Sequence, residues 1–238
     1  MKNSPYRFQA TDTVGAIVAR QPSLSRVFEH ADIDYCCGGK IPLEEACRKK
    51  GLDLQQFLVS LEAAAASADQ GGIKPAEMTL TALADHIETT HHAYLKTELP
   101  RLEAMTKKVA AVHGEHDPRL RQVSQVYQGM AEELAHHTMK EEQILFPMIR
   151  KLEAGSAAHG SLADPIHAME TEHDDAGAAL LKVRELTDGF TPPDWACNTY
   201  RAMLDALTRF ENDLHQHVHK ENSVLFPRAL AFEKQKAA

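Results

Sequence analysis

Fourteen histidines stand in a chain of 238 residues, and several lie one helical turn from a glutamate. His137-Thr138-Met139-Lys140-Glu141 runs on to Leu145-Phe146-Pro147, and His217-Val218-His219-Lys220-Glu221 runs on to Leu225-Phe226-Pro227. The second copy follows the first by 80 residues (217 minus 137) at every matching position. A further histidine precedes each copy, His92 and His173, 81 residues apart. Residues four apart on a helix share a face. Each His-x-x-x-Glu therefore offers an imidazole and a carboxylate to one side.

That side is apolar. Val123, Val126, Met130 and Leu134 lead into His137 and Glu141, and Ile144, Met148 and Leu152 follow. Met203, Leu207, Phe210 and Leu214 lead into His217 and Glu221, and Val224 follows. In between, Ile166, Met169, His173, Ala176 and Leu180 form a third stripe. A buried carboxylate is costly unless something compensates it. Four imidazoles (His92, His137, His173, His217) and two carboxylates (Glu141, Glu221) suit a dinuclear metal centre. Each ion would take two imidazoles and share both carboxylates and a solvent-derived oxo or hydroxo bridge, with one position open. These donors suit iron, manganese or zinc, and the absence of thiolates speaks against a closed structural zinc site. A lone core histidine is usually packing; two pairs in register are not.

His91 and His92 point about 100° apart on a helix, so only one can coordinate. Pairing His92 with His173 sets Leu95 and Leu99 against Ala176 and Leu180, which favours His92. Glu133 and Asp213 precede His137 and His217 by four residues and could orient their rings. His86, His136, His215 and His219 lie off the stripes and read as surface or loosely packed residues.

A separate chemistry belongs to Cys36 and Cys37, adjacent thiols followed by Gly38, Gly39 and Lys40. The glycines can hold the thiols on a tight turn, and Lys40 could favour thiolate. Neighbouring cysteines form no ordinary unstrained disulfide, so redox exchange or iron handling fits better than a structural bridge. Cys47 could join such a site, whereas Cys197 reads as packing.

The elements that must carry these groups are helical. Ala, Leu and Glu are plentiful and aromatics make up 6% of the chain, which favours helix over sheet. Four long helices are expected at about 79–112, 119–153, 164–187 and 194–233, with Thr79, Asp164 and Asp194 as N-caps. Pro100 should kink or split the first of them. Short connections imply an all-α, up-down-up-down four-helix bundle over 79–238. Residues 1–62 form a small helical domain, with Pro22 and Pro42 opening helices, Gly51 closing one and Asp53 starting another. Residues 63–78, with Gly71 and Gly72, read as a linker, although the alanines could extend the preceding helix. The formal net charge of −8 argues against nucleic acid as a partner. No apolar run approaches the ~18 residues of a membrane span, and the first ten residues lack a secretory pattern, so the expected location is the cytoplasm.

The repeated His-x-x-x-Glu with Leu-Phe-Pro resembles the hemerythrin-like di-iron bundle. Asp34-Tyr35-Cys36-Cys37-Gly38-Gly39-Lys40 resembles the N-terminal signature of the iron–sulfur cluster repair (repair-of-iron-centres) family. The resemblance covers nearly the whole chain, in the family's order. It implies two iron ions held by His92, His137, Glu141, His173, His217 and Glu221, with Glu133 and Glu172 at acidic positions near the metal. It also implies that iron–sulfur or other iron proteins are clients, that nitric oxide is a ligand, and that Cys36 and Cys37 serve as redox or iron-transfer thiols. Oxygen-carrying hemerythrins have a fifth histidine where this chain has Gly177, and they end in His-x-x-x-x-Asp, so a reversible oxygen carrier is disfavoured. A nitric oxide reductase, scavenger or sensor without a repair role is the competing reading. The cysteine module favours repair, and a homodimer stays open.

Overall fold

A computed structural model describes residues 8–67, 73–155 and 160–237. Gly71 and Gly72 of the expected linker, and 156–159 of the connection after the second long helix, lie outside the described residues. The fold is all-α: among the described residues the only β feature is an isolated bridge between Thr13 and Pro42. No described helix is long and apolar enough to cross a membrane.

The small N-terminal domain is built from α1 (Val14–Arg20), α2 (Ser25–His30), α3 (Leu43–Lys50) and α4 (Leu54–Ser67). Its punctuation has local causes. Pro22 opens a short 3-10 turn, Pro42 is the N-cap of α3, and Gly51 ends α3 in the left-handed region at φ 67°. Asp53 accepts the Gln56 N–H at 2.8 Å and so starts α4, which continues through the alanines to Ser67. Val14, Ile17, Leu24, Phe28, Leu43 and Leu61 are fully buried together, and Phe28 meets Phe57 edge-on at 5.6 Å.

Four long helical runs form the bundle. The first is α5 (Leu80–Ile87), a wider π turn (Glu88–His92) and α6 (Ala93–His113). The second is α7 (Arg119–Lys140), a π turn (Glu141–Leu145) and α8 (Phe146–Glu153). The third is α9 (Ala163–Leu186), and the fourth is α10 (Asn198–Lys220), a π turn (Glu221–Leu225) and α11 (Phe226–Ala237). Helix α7 packs against α6 and α9. Thr79 accepts the Ala82 N–H at 3.1 Å as an N-cap does. Asp164 instead lies inside the first turn of α9, where Ser161 accepts the Ala163 N–H. Asp194 precedes a helix that begins four residues later at Asn198. Pro100 sits within α6, which continues past it; the backbone ladder changes at Glu88–His92 instead.

The π turns move the apolar stripe. A π turn holds one more residue than an α turn, so positions beyond it rotate relative to a 3.6-residue period. After Glu141 the buried residues are Leu145, Phe146, Ile149 and Leu152, while Ile144, expected inside, is 53% exposed. Pro147 and Pro227 are each the second residue of the helix that leaves a π turn. Neither can donate to a carbonyl four residues back, which favours a widened ladder there. Helix α9 has no π turn, and Ile166, Met169, His173, Ala176 and Leu180 are all buried in the expected register.

The chain divides into two compact units. One is Ala84–Leu214; the other joins Met1–Leu83 to His215–Ala238, so the end of the last helical run belongs with the small domain.

Candidate metal centre

Within Ala84–Leu214, His92, His137, Glu141 and His173 are each 2% exposed or less. Glu141 Oε2 lies 3.3 Å from the Nε2 atoms of both His92 and His137. His173 Nε2 is 3.0 Å from His137 Nε2. Donor atoms of His137, Glu141 and His173 all fall within 4.8 Å of one another. Two of these groups stand at the edges of π turns: His92 ends one and Glu141 begins another. There a widened backbone can turn side chains inward that a regular helix would splay apart.

The outward ring nitrogens are equally defined. His92 Nδ1 lies 2.9 Å from Glu142 Oε1, and His137 Nδ1 lies 2.9 Å from Glu172 Oε2. A carboxylate only accepts, so each Nδ1 carries the proton and donates it. That leaves each Nε2 facing inward, at a carboxylate oxygen, where a neutral ring would present its lone pair. Two acceptors facing each other at 3.3 Å repel unless a proton or a cation lies between them. Imidazoles held in this tautomer by outer carboxylates are the arrangement of metal ligands, so the residues present fit a metal.

Lysines clamp the outer carboxylates. Lys96 Nζ reaches Glu142 at 2.7 and 2.9 Å, and Lys140 pairs with Glu172. Burial raises both carboxyls, but hydrogen bonds from the lysines and histidines outweigh it and hold both below the ordinary glutamate value. Phe146, from the Leu-Phe-Pro segment, stacks on His92 at 5.6 Å with planes 12° apart, fixing that ring on its other side.

His91 is also buried, but its Nδ1 meets Asp213 Oδ1 at 2.9 Å. Asp213 thus orients His91. Glu133 is exposed and lines a surface pocket beside His137 together with Glu172 and Lys140. Glu142 was not singled out by spacing, because its counterpart 80 residues on is Asn222.

In the other unit His217 and Glu221 are both fully buried, with Nε2 and Oε1 3.0 Å apart. Between them on the same run, His219 is 5% exposed, not a surface residue. Its Nδ1–H donates to the Tyr35 carbonyl at 3.1 Å, and burial pushes its pKa down to about 4, so the ring is neutral. The Tyr35 and His219 rings meet edge-on at 5.4 Å. The cysteine loop is thus tied to the segment that bears His217 and Glu221.

Cys36 and Cys37 are not joined in a disulfide, and their Sγ atoms lie 4.0 Å apart. Asp34 closes the loop, accepting the Cys36 N–H at 2.8 Å, the Gly38 N–H at 2.8 Å and the Cys36 thiol at 3.1 Å. The hydrogen bond with Cys37, then burial, then the Asp34 charge hold the Cys36 thiol well above its ordinary value. Lys40 does not make Cys36 a thiolate. The glycines also act differently from expectation: neither Gly38 nor Gly39 has a positive φ. A Cβ on Gly39 would lie 2.5 Å from the Tyr35 carbonyl, and one on Gly15 would lie 2.4 Å from Ser223 Oγ. Close approach, not a left-handed backbone, requires them.

Comparison with known proteins finds two domains along the chain. Residues 83–229 match the Hemerythrin HHE cation binding domain, and residues 10–65 match the ScdA_N domain, itself described as of unknown function. The chain is 40% identical over 231 residues to the iron-sulfur cluster repair protein YtfE of Yersinia pseudotuberculosis serotype IB (strain PB1/+), covering 96% of this chain and 99% of that one. The protein of the same name from Yersinia pestis (strain Pestoides F) is 40% identical over the same shares.

Proposed function

The chain belongs to the family of iron–sulfur cluster repair proteins, an ScdA_N domain followed by a hemerythrin HHE cation-binding domain, and on that premise we propose that it restores iron–sulfur clusters and other iron centres damaged by nitric oxide or oxidative stress. Its cofactor is two iron ions with an oxo or hydroxo bridge, held by His92, His137, Glu141, His173, His217 and Glu221. The observation that carries this reading is the inward turn of the His92 and His137 Nε2 atoms onto Glu141, with Glu142 and Glu172 holding the opposite nitrogens. The 80-residue repeat assigns His217 and Glu221 the same roles as His137 and Glu141.

When bound, iron supplies Lewis acidity and one-electron chemistry. The chain's own residues prepare the site. Glu142 and Glu172 fix the tautomers, Lys96 and Lys140 keep those carboxylates ionised, and Phe146 limits rotation of His92. Cys36 and Cys37 act as redox or iron-transfer thiols toward a client. Damaged iron–sulfur proteins are the clients, nitric oxide is the small ligand, and the cytoplasm is the location.

The test is recovery of a nitric-oxide-damaged iron–sulfur enzyme incubated with the intact chain or with Cys36→Ser/Cys37→Ser. The intact chain should restore activity, and the double variant should keep its iron but lose most of the repair. Absence of recovery with the intact, iron-loaded chain would favour the nitric oxide scavenger instead.

A further inference from the structure

The loop Asp34–Lys40 does more than display two thiols. Asp34, Cys36 and Cys37 each offer a donor atom, all within 4.8 Å of one another. Two thiolates on one tetrahedral ion, with metal–sulfur bonds of ~2.3 Å, lie roughly 3.8 Å apart; here the two sulfurs are already 4.0 Å apart. The carboxylate is set by the Cys36 and Gly38 amides, so it does not have to be ordered on binding.

The loop is also held from outside. Gly39 and Ile41 carbonyls accept the Gly15 and Val14 N–H groups at 2.8 and 3.1 Å, and the Tyr35 carbonyl accepts from His219. Contacts that tight leave the three donors little freedom. Asp34 is exposed and Cys37 half-buried, whereas Cys36 is 5% exposed. A cation can therefore arrive from the solvent side and be anchored by the inner thiol.

We propose that Asp34, Cys36 and Cys37 form a second, labile site for a thiophilic divalent cation, with one coordination position open to solvent. Binding replaces two S–H bonds by two metal–sulfur bonds, releases two protons and changes no oxidation state. An ion with three protein donors and an open position can be passed on by ligand exchange, whereas a closed four-donor site would retain it. The inference rests on the reading of these thiols as transfer groups, but its test reads metal at the loop, not repair.

The probe is cobalt(II), added anaerobically under reducing conditions to the intact, iron-loaded chain. The expected result is one further cobalt per chain and a near-ultraviolet sulfur-to-cobalt charge-transfer band. Cys36→Ser and Cys37→Ser should each remove the band, and Asp34→Asn should weaken cobalt binding about tenfold or more. Cys37→Ser, at the half-buried position, guards against a folding failure at the inner one, and iron content is measured in every sample. No sulfur band in the intact chain, or a band unchanged in both serine variants, overturns the proposal. Iron missing from the intact chain while the band appears would overturn the di-iron reading instead.

Discussion

The Tyr35 carbonyl oxygen and His219 Nδ1, 184 residues apart in the chain, are joined by a 3.1 Å hydrogen bond. It ties the loop carrying Cys36 and Cys37 to the helical segment carrying His217 and Glu221. Gly15 against Ser223 reinforces the same junction. The thiol module is therefore seated on part of the bundle sequence and is not merely tethered by a linker.

His219→Leu leaves a buried carbonyl without this donor, a loss of about 1–3 kcal/mol. Amide hydrogen exchange across Cys36–Gly39 should accelerate, while exchange in α9 should stay as it was. Unchanged protection in the loop would show that His219 does not hold it.

Glu142→Gln and Glu172→Gln keep the side-chain shape but remove the charge that fixes each imidazole. Each should weaken metal binding by about 10–100-fold, the usual effect of losing an outer carboxylate. Competition with a chelator measures it. Glu133→Gln, at an exposed position, should change little.

His92→Ala should strip much of the iron, because its Nε2 faces Glu141. His91→Ala should retain the iron and lose only its pairing with Asp213, seen as a lower melting temperature. The reverse pattern of iron contents would place the ligand at His91.

The repeat made the site legible at positions where both copies share a residue type. His137, Glu141, His217 and Glu221 stand on buried stripes because an unbroken 3.6-residue period holds up to them. Beyond Glu141 the period fails by one residue, since the π turn carries Leu145 and Ile149 inward in place of Ile144 and Met148. Glu142 was hidden by its asymmetric counterpart Asn222. His219 lies off its helix's stripe and is buried by a loop far away in sequence, a contact that no periodicity encodes. Gly38 and Gly39 were legible as necessary, but the reasons lie in packing: a Cβ on Gly39 would clash with the Tyr35 carbonyl, and one on Gly38 would crowd the Asp34 carboxylate.

The most direct test of the account is the iron content of the purified intact chain, read with its optical spectrum before and after nitric oxide. About two irons per chain are expected, as in other carboxylate-bridged bundles. Near-ultraviolet absorption from an oxo bridge should accompany them and change on adding nitric oxide. A single zinc with no iron, or iron whose spectrum ignores nitric oxide, would contradict it.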